Sequence, residues 1–470
     1  MRIKHQPGVE PVLEVIEEEA KSMGVRALLV GGYVRDRILE RDCKDLDVVV
    51  EGGSGTELAS AVAARVGDRE PVFFERFGTA QVAAGDLLLE FVSARAESYL
   101  PESRKPDVRP GTLEEDIQRR DFTCNTLLCG REGEVIDITG KGLADIEARI
   151  LRTPLPAAET FHEDPLRAVR AIRFAVTLGF RMDDEIPPAI LGCLDRLGTV
   201  VSIERINEEL RRMLLSPRPG EALRLMRETG VLAKLMPEVE AMAGVEQSGF
   251  HNLDVLDHTL AALDAVAGRP NPELEPREEL VLRLGVLLHD CGKPATAAFD
   301  GERITFLGHP EVGAQAAARL LRRLRFSNDE LAAATRLVSL HMRPIQYDPE
   351  TWSDGAVRRL VRDSGEVLQP LLQLARADMA ASDYPPEQAS RKLDDLDRRV
   401  AALDVDAVRR VSAPLDGNQL MERFGRPPGA WISRVQDALL EAVLEGEIAP
   451  DDQAAAWAYL DSHPDLLGEA

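Results

Sequence analysis

The strand-like stretches of this chain crowd into its first 130 residues, and that placement constrains the fold more than any other feature. RALLVGG (26–32), DLDVVV (45–50), PVFFERFGTAQVA (71–83) and DLLLEFVSAR (86–95) carry β-branched and aromatic residues between turn signals. With an amphipathic start before them, they predict an α/β or α+β domain built on one sheet. From about residue 160 the strand signals fade. LRAVRAIRFAVTLGF, INEELRRMLL and GEALRLMRETGVLAKLM place apolar residues at three- and four-residue spacing, so the remainder reads as helical. Breaks at SPRPG (216–220), GRPNPELEP (268–276) and YPPE (384–387) mark joints. A chain of 470 residues exceeds one hydrophobic core and predicts several domains.

Composition narrows the class. Hydrophobic residues make up 44% and charged residues 29%, as in globular proteins, and no apolar run is long enough to span a membrane. The N-terminus lacks the apolar core of a signal peptide, and the five scattered cysteines form no CxxC pair, which predicts a reducing cytoplasm. A net charge of −24 argues against a broad nucleic-acid-coating surface and leaves room only for a local basic cleft.

Within the first domain, Asp45 and Asp47 open the strand that continues as three valines. Side chains alternate along a strand, so the two carboxylates share a face and repel unless a cation lies between them. Upstream, an apolar strand runs into Gly31 and Gly32, then into a helix-like segment with Arg35 and Asp36. Glycines at such a turn let backbone amides approach an anion, and Arg35 can add a charge-assisted bond to it. Oxygen-only ligands suit Mg²⁺, which clamps triphosphates and activates hydroxyls for in-line displacement. The plain alternative is an ordinary strand–turn–helix joint and two solvated aspartates.

Further on, HEDPLRAVRAIRF (162–174) reads as a helix that sets Asp164 and Arg167 three residues apart on one surface. Cytosine and adenine present an amino donor beside a ring-nitrogen acceptor, whereas uracil and guanine present the reverse. A carboxylate that accepts from the amino group, beside a guanidinium that donates to the ring nitrogen, takes C and A and rejects U and G. The plain alternative is a surface ion pair worth under about 1 kcal/mol. Arg170 and Arg173 continue the spacing but drift around the helix, so the arginines cannot all face one base.

A second constellation comprises His258, the adjacent His289 and Asp290 before Gly-Lys-Pro, His309, His341 and Asp378. Mixed imidazole and carboxylate ligands suit a divalent transition metal or Mg²⁺.

Taken together, GGYVRD and DLD resemble the nucleotidyltransferase signature of the polymerase-β-type superfamily. LEEDIQRRDFTCNTL (113–127), VIDITGKGLADIEARILRTP (135–154) and HEDPLRAVRAIRF narrow the resemblance to class II tRNA nucleotidyltransferases (CCA-adding enzymes) and bacterial poly(A) polymerases, across residues 25–235. Thr126 stands where that family usually has alanine. The order H…HD…D resembles the HD phosphohydrolase superfamily. The implied fold is an α+β N-terminal nucleotidyltransferase head with a polymerase-β-type sheet, followed by an all-α neck and HD-type helical domains. The corresponding bounds are 1–150 for the head, 151–240 for a base-selecting, RNA-binding neck, 241–390 for the HD domain and 391–470 for an acidic helical region.

The resemblance also implies roles. Asp45 and Asp47 would hold Mg²⁺ and be catalytic. Gly32, Arg35, Arg120, Asp164, Arg167, Arg170 and Arg173 would bind nucleotide, with Arg170 and Arg173 acting through phosphates or by ordering Asp164. Asp121 and Asn125 would hold local backbone or ribose. His258, His289, Asp290 and Asp378 would bind a divalent metal that activates water against a phosphoester, while His309 and His341 line that site or take a second metal. The polar segment 98–118 resembles a flexible loop used in switching from C to A addition, and its full length favours complete CCA synthesis. The implied activity is template-free addition of C, C and A from CTP and ATP to a tRNA 3′ end in the cytoplasm, with release of pyrophosphate and no membrane partner. Two other readings remain at this stage: a narrower CC-adding, A-adding or poly(A)-synthesising enzyme, and an HD phosphohydrolase whose N-terminal domain only binds RNA.

Overall fold

The computed structural model describes residues 1–74, 78–98, 107–247 and 252–467, which form two compact units. The first comprises Met1–Met213 with Arg224–Leu235, and the second Leu214–Leu223 with Met236–Ala470. The residues expected as head thus share a unit with most of those expected as neck.

In the first unit, α1 (Val9–Met23) buries Val9, Val12, Leu13, Ile16 and Ala20 along one stripe and ends on Gly24 at φ 70°. There follow β1 (Arg26–Val30), α2 (Gly32–Ile38), β2 (Asp45–Glu51), α3 (Gly55–Val66), β3 (Val72–Phe74), β4 (Thr79–Ala84) and β5 (Leu87–Ser93). Each of the four stretches read as strands contributes to one sheet, PVFFERFGTAQVA supplying both β3 and β4. Next come the hairpin β6 (Arg95–Ser98) and β7 (Asp107–Pro110), then α4 (Leu113–Gln118), β8 (Leu128–Cys129) and β9 (Val135–Ile136). Seven strands assemble in the order β3-β4-β5-β2-β1-β8-β9. β2 and β5 run parallel and the other pairs antiparallel.

β2 occupies the middle of the sheet, so Val48, Val49 and Val50 are buried whichever face they point to. This explains an unbroken valine run where a half-exposed strand would alternate. Val30, Val49, Ala94, Leu113, Ile117 and Leu128 form a core joining β1 and β2 to α4. Of the segment read as a flexible loop, residues 99–106 lie outside the described residues. Its last part is the helix α4, started by a reciprocal cap between Thr112 and Glu115. Beyond the sheet come α5 (Gly142–Glu147), α6 (Ala157–Glu163) and α7 (Leu166–Leu178), then further helices. The neck is not purely helical, since Ile150–Leu151 pairs in parallel with Arg181–Met182.

Among its described residues, the second unit is helical apart from a short hairpin, Ala298–Phe299 with Ile304–Thr305. Its last helices carry a core of their own around Leu420, Trp431, Val435, Leu439 and Leu460. Among the described residues, no helix is long and apolar enough to cross a membrane.

Candidate active sites

The burial of the valines leaves the two ends of β2 at the surface, and the entrance carries the aspartates. Asp45 is exposed and Asp47 half-buried. The register sets Asp47 opposite Val30 on β1 and opposite Glu90 on β5. Glu90 is therefore a third carboxylate beside the pair. Sequence reasoning missed it because an acid within an alternating strand reads as a solvated position. Burial pushes the Asp47 carboxyl up to about 6; Arg120 offsets part of this, and Glu90 and Asp45 add to it.

The turn after β1 aims at the same place. Gly31 has φ 77° and ψ −130°, and a Cβ there would lie 3.3 Å from Asp47 Oδ2 and 3.5 Å from Arg120 Nη1. Gly32 opens α2. Arg120 donates through Nε and Nη2 to Asp116 Oδ2 at 3.1 and 3.0 Å, and Arg119 holds the other oxygen at 2.6 Å. Turn, carboxylate and guanidinium thus converge beside the entrance of β2.

Arg35 faces the other way. It is buried, donates to Asn125 Oδ1 at 2.6 Å and to both oxygens of Asp36 at 2.8 and 2.9 Å, and lies 5.2 Å from the Phe174 ring centre. Protein acceptors take the donors that sequence reasoning assigned to a phosphate.

The stretch HEDPLRAVRAIRF is not the single helix its spacing predicts. α6 stops at Glu163, α7 starts at Leu166, and Asp164 between them is extended at φ −132° and ψ 100°. Pro165 is the cause, because its ring disfavours helical backbone in the residue before it. The side chains of Asp164 and Arg167 consequently take different partners. Asp164 Oδ1 accepts from the Leu166 N–H at 3.1 Å, and Oδ2 from Arg205 Nη2 at 2.9 Å. Arg167 is buried and donates to Thr160 O at 3.3 Å, to Glu163 at 3.2 Å and to Arg119 O.

Beneath these groups runs a buried ionic chain. Arg170 donates twice to Asp121 Oδ2, at 2.9 and 2.6 Å, and once to Glu209 at 3.3 Å, whose other oxygen takes Arg173. Asp121 Oδ1 accepts from the Phe122 N–H and from Asn125, which in turn receives Arg35. Arg170 and Arg173 flank the Phe174 ring at 5.2 and 3.9 Å, sharing it with Arg35. Burial alone would raise the Asp121 carboxyl, but Arg170 and Asn125 outweigh it and hold it down at about 2. Arg205 and Glu209, both on the helix Ile203–Leu214, went unseen in the sequence. Nothing local distinguishes them from solvated charges on an amphipathic helix.

In the second unit, five elements bring the other constellation together. His258 lies within Val255–Ala267, His289 and Asp290 follow Pro276–Leu288, and His309 opens His309–Arg323. His341 follows Asn328–Leu340, and Asp378 lies within Leu368–Ala381. Gly292 permits the close approach, since a Cβ there would come 2.1 Å from His309 O. Nδ1 of His289, His309 and His341 bonds the carbonyl three residues upstream, on Val286, Phe306 and Val338, at 2.8, 2.8 and 2.7 Å. A carbonyl only accepts, so each Nδ1 carries the hydrogen and each Nε2 faces the cluster.

The ligand atoms fall into two groups, His258 with His289 and Asp378, and Asp290 with His309 and His341, each within 4.8 Å. His258 Nε2 lies 2.8 Å from Asp378 Oδ1. His289 Nε2 is 3.2 Å from Asp290 Oδ2 but off the hydrogen-bond line, and it has no hydrogen-bond partner. Burial would lower the His289 imidazolium, yet Asp290 and Asp378 outweigh it and hold it up at about 9. Burial and the neighbouring His289 push His341 down to about 4. Lys293 sits 2.7 Å from Asp290 Oδ2. A cavity of about 960 Å³ opens over Asp290, His309 and Asp378, with Lys293, Arg303, Arg343 and Tyr384 among its walls.

Comparison with known proteins finds a family match over the sheet domain and another over the helical unit. The Poly A polymerase head domain family matches residues 27–152, the Probable RNA and SrmB-binding site of polymerase A family residues 179–242, and the HD domain family residues 255–404. The A-adding tRNA nucleotidyltransferase of Deinococcus radiodurans is 32% identical over 92% of this chain and 94% of its own. The CC-adding tRNA nucleotidyltransferase of Thermus thermophilus is 32% identical over 92% of each. A multifunctional CCA protein of Pseudomonas aeruginosa is 36% identical over 68% of this chain and 76% of its own. The crystal structure of the Bacillus stearothermophilus CCA-adding enzyme in complex with CTP superposes with a TM-score of 0.68 at 24% identity, over 98% of this chain and 99% of that one, and shares the fold. Matches of this extent make the chain a member of the tRNA nucleotidyltransferase family, with an HD domain behind its transferase head.

Proposed function

We propose that this chain completes the 3′ end of tRNA, adding C, C and A from CTP and ATP without a template and releasing pyrophosphate. The observation that carries this reading is the convergence of Asp47, the Gly31 turn and Arg120 beside exposed Asp45. Asp45, Asp47 and Glu90 offer carboxylate oxygens only, in a place where Arg120 offsets only part of the negative charge, and that donor set fits Mg²⁺. When bound, the ion activates the RNA hydroxyl and neutralises charge on the triphosphate. The chain's own residues do the rest. Arg120, fixed by Asp116, meets phosphate, and the Gly31–Gly32 turn lets backbone approach the nucleotide. Asp164 and Arg167 read the base, the carboxylate accepting from the amino group and the guanidinium donating to the ring nitrogen. Arg35, Arg170 and Arg173 act one layer below by fixing the surfaces that carry these groups. The five free cysteines support a reducing cytoplasm as the working compartment.

The HD domain adds a metal-dependent phosphohydrolase centre. The unpartnered, buried Nε2 of His289 fits a metal there, because a ring nitrogen flanked by the carboxylates of Asp290 and Asp378 favours a cation at that point. His258, His289, Asp290 and Asp378 would hold it, and Lys293, Arg303 and Arg343 give the adjoining cavity the charge to receive a phosphoester. When bound, the metal supplies activated water.

One observation favours a narrower product. The two relatives named above that cover 92% of this chain are an A-adding and a CC-adding tRNA nucleotidyltransferase. Incubating tRNA lacking its CCA end with CTP, ATP or both and sequencing the 3′ ends decides between them. Complete CCA is the expected result. CC or A alone replaces it with a specialised enzyme, and no extension overturns the proposal.

A further inference from the structure

We infer that Gln6 is a positioning residue of the transferase site. Its side-chain amide continues the sheet past the end of β1 and fixes the entrance of β2, from which Asp45 and Asp47 project. The inference rests on the reading of those two aspartates as the metal-binding pair. It assigns work to residues 1–6, which carry none of the motifs read above.

β1 accompanies β2 only from Glu51 down to Asp47, which faces Val30. At Gly31 the chain leaves the sheet, and Gly32 opens α2. The residues that lead into Asp47 therefore lose their strand neighbour on that side. They keep β5 on the other, where Asp45 faces Leu88 and Lys44 O accepts the Leu88 N–H at 2.9 Å. Successive residues of an extended chain turn their N–H and C=O groups to alternate sides, so Cys43 directs both of its groups to the side that β1 has left. Gln6 meets them there. Its Nε2 donates to Cys43 O at 2.6 Å, and its Oε1 accepts from the Cys43 N–H at 3.0 Å. A carboxamide sets a donor beside an acceptor, as a residue of a paired strand does, so one side chain stands in for the missing strand. Cys43 Sγ in turn donates to Asp45 O at 3.2 Å, which carries the restraint to the first aspartate.

Gln6 is itself held. Residues 1–3 lie along the β8–β9 hairpin, where the Val135 N–H donates to Met1 O at 3.0 Å and the Ile3 N–H to Gly133 O at 2.8 Å. Lys4 O accepts from Arg37 Nε at 3.1 Å. His5 is buried, with Nε2 3.3 Å from Gly130 O. A carbonyl only accepts, so Nε2 carries the hydrogen and Nδ1 accepts from the Tyr33 hydroxyl at 3.0 Å. Tyr33 is fully buried and follows Gly32 in α2. Adjacent residues thus tie both halves of the site to one strap, His5 the helix after the glycine turn and Gln6 the strand entrance.

Three variants of the full-length chain test this. Gln6→Met keeps the reach of the side chain without either bond. Gln6→Glu keeps the shape and the acceptor for the Cys43 N–H but sets an oxygen against Cys43 O. Leu13→Ala removes packing from buried Leu13 of α1 and reports what lost stability alone does. The Mg²⁺ concentration that half-saturates CTP addition is expected to rise about threefold to tenfold in Gln6→Met, the equivalent of one lost hydrogen bond, and to rise in Gln6→Glu as well. A second readout needs no activity. Cys43 is half-buried and the other four cysteines are buried, so its alkylation by iodoacetamide in excess chelator, located by mass spectrometry, is expected to quicken in both Gln6 variants. Leu13→Ala is expected to lower the melting temperature and move neither reading. Should Gln6→Met not fold, Gln6→Glu against Leu13→Ala decides. Wild-type Mg²⁺ dependence or wild-type alkylation in the Gln6 variants, or equal shifts in Leu13→Ala, overturn this inference alone. Nucleotide addition by Asp47→Ala with the wild-type Mg²⁺ dependence overturns the metal-binding reading beneath it.

Discussion

The transferase head and the HD domain both gather charged side chains, proposed above to work on phosphate, and they do so with opposite materials. At the head, the entrance of one strand leaves Asp45 exposed and Asp47 half-buried, with oxygen as the sole donor. In the HD domain, imidazoles dominate, and His289, His309 and His341 are buried with their tautomers set by backbone carbonyls. An open, oxygen-only site suits a hard ion that comes and goes with its triphosphate. A closed, nitrogen-rich site suits an ion that stays. The contrast also concerns rigidity. The HD side chains contact one another directly, whereas Asp45 and Asp47 stand at a strand entrance and the rigid part of the head is the ionic chain from Arg35 through Asp121 to Arg173.

The largest effect should come from separating the two centres. Asp47→Ala is expected to cut nucleotide addition by at least about a hundredfold, since losing even one charge-stabilising donor costs that much. Phosphoester hydrolysis by the same protein should be unchanged. The paired substitution of His289 and Asp290 by alanine is expected to do the reverse. Steady-state assays of both activities on both proteins check this. If either protein loses both activities while still folded, the two centres are not independent and the comparison breaks.

Much of this contrast was legible beforehand, for local reasons. Gly31-Gly32 and the DLD strand sit within one strand–helix–strand passage, and His289-Asp290 are adjacent in the chain, so each pattern carries its own chemistry. The break at Pro165 was equally available, because a proline speaks for the residue before it, yet the apolar periodicity on both sides masked it. Glu90, Arg205 and Glu209 were not legible. Glu90 becomes a site residue only through the parallel register of β2 and β5, and Arg205 meets Asp164 across 41 positions of sequence. Arg35 is the instructive case. Its sequence context suggests a phosphate, but Asn125, 90 positions away, supplies an acceptor instead.

A middle-sized effect sharpens the comparison of rigidity. Asp121 is buried, and Arg170 and Asn125 hold its carboxyl down at about 2 against an ordinary 3.8. A lowered carboxyl contributes fully above its unfolded value and loses that contribution as pH falls through its folded value. Integrated over the shift, the contribution is about 2 kcal/mol. Asp121→Asn should therefore unfold earlier than the wild type at neutral pH, with the gap narrowing between about pH 4 and 2. Thermal unfolding of the two proteins across that range checks it. A gap independent of pH would mean that packing, not charge, is what Asp121 contributes.

The smallest effect concerns Arg205, and it asks whether the head's reading of the base is as preset as the HD cluster. Arg205 is half-exposed, so its bond to Asp164 adds little stability, under about 1 kcal/mol. Its geometric role is larger than its energy. The Leu166 N–H holds Oδ1, and Arg205 adds the bond that fixes Oδ2 and so helps to set where its remaining lone pair points. Arg205→Ala should leave the melting temperature and the maximal rate of CTP addition nearly unchanged. Selectivity for CTP over UTP should fall, by no more than about tenfold, since that corresponds to roughly 1 kcal/mol of lost orientation. Competition between the two nucleotides at a tRNA end lacking CCA measures it. Unaltered selectivity would mean that the N-terminus of α7 orients Asp164 by itself. The base-reading edge would then be as firmly built as the HD imidazoles, and only the metal-facing acids would remain open.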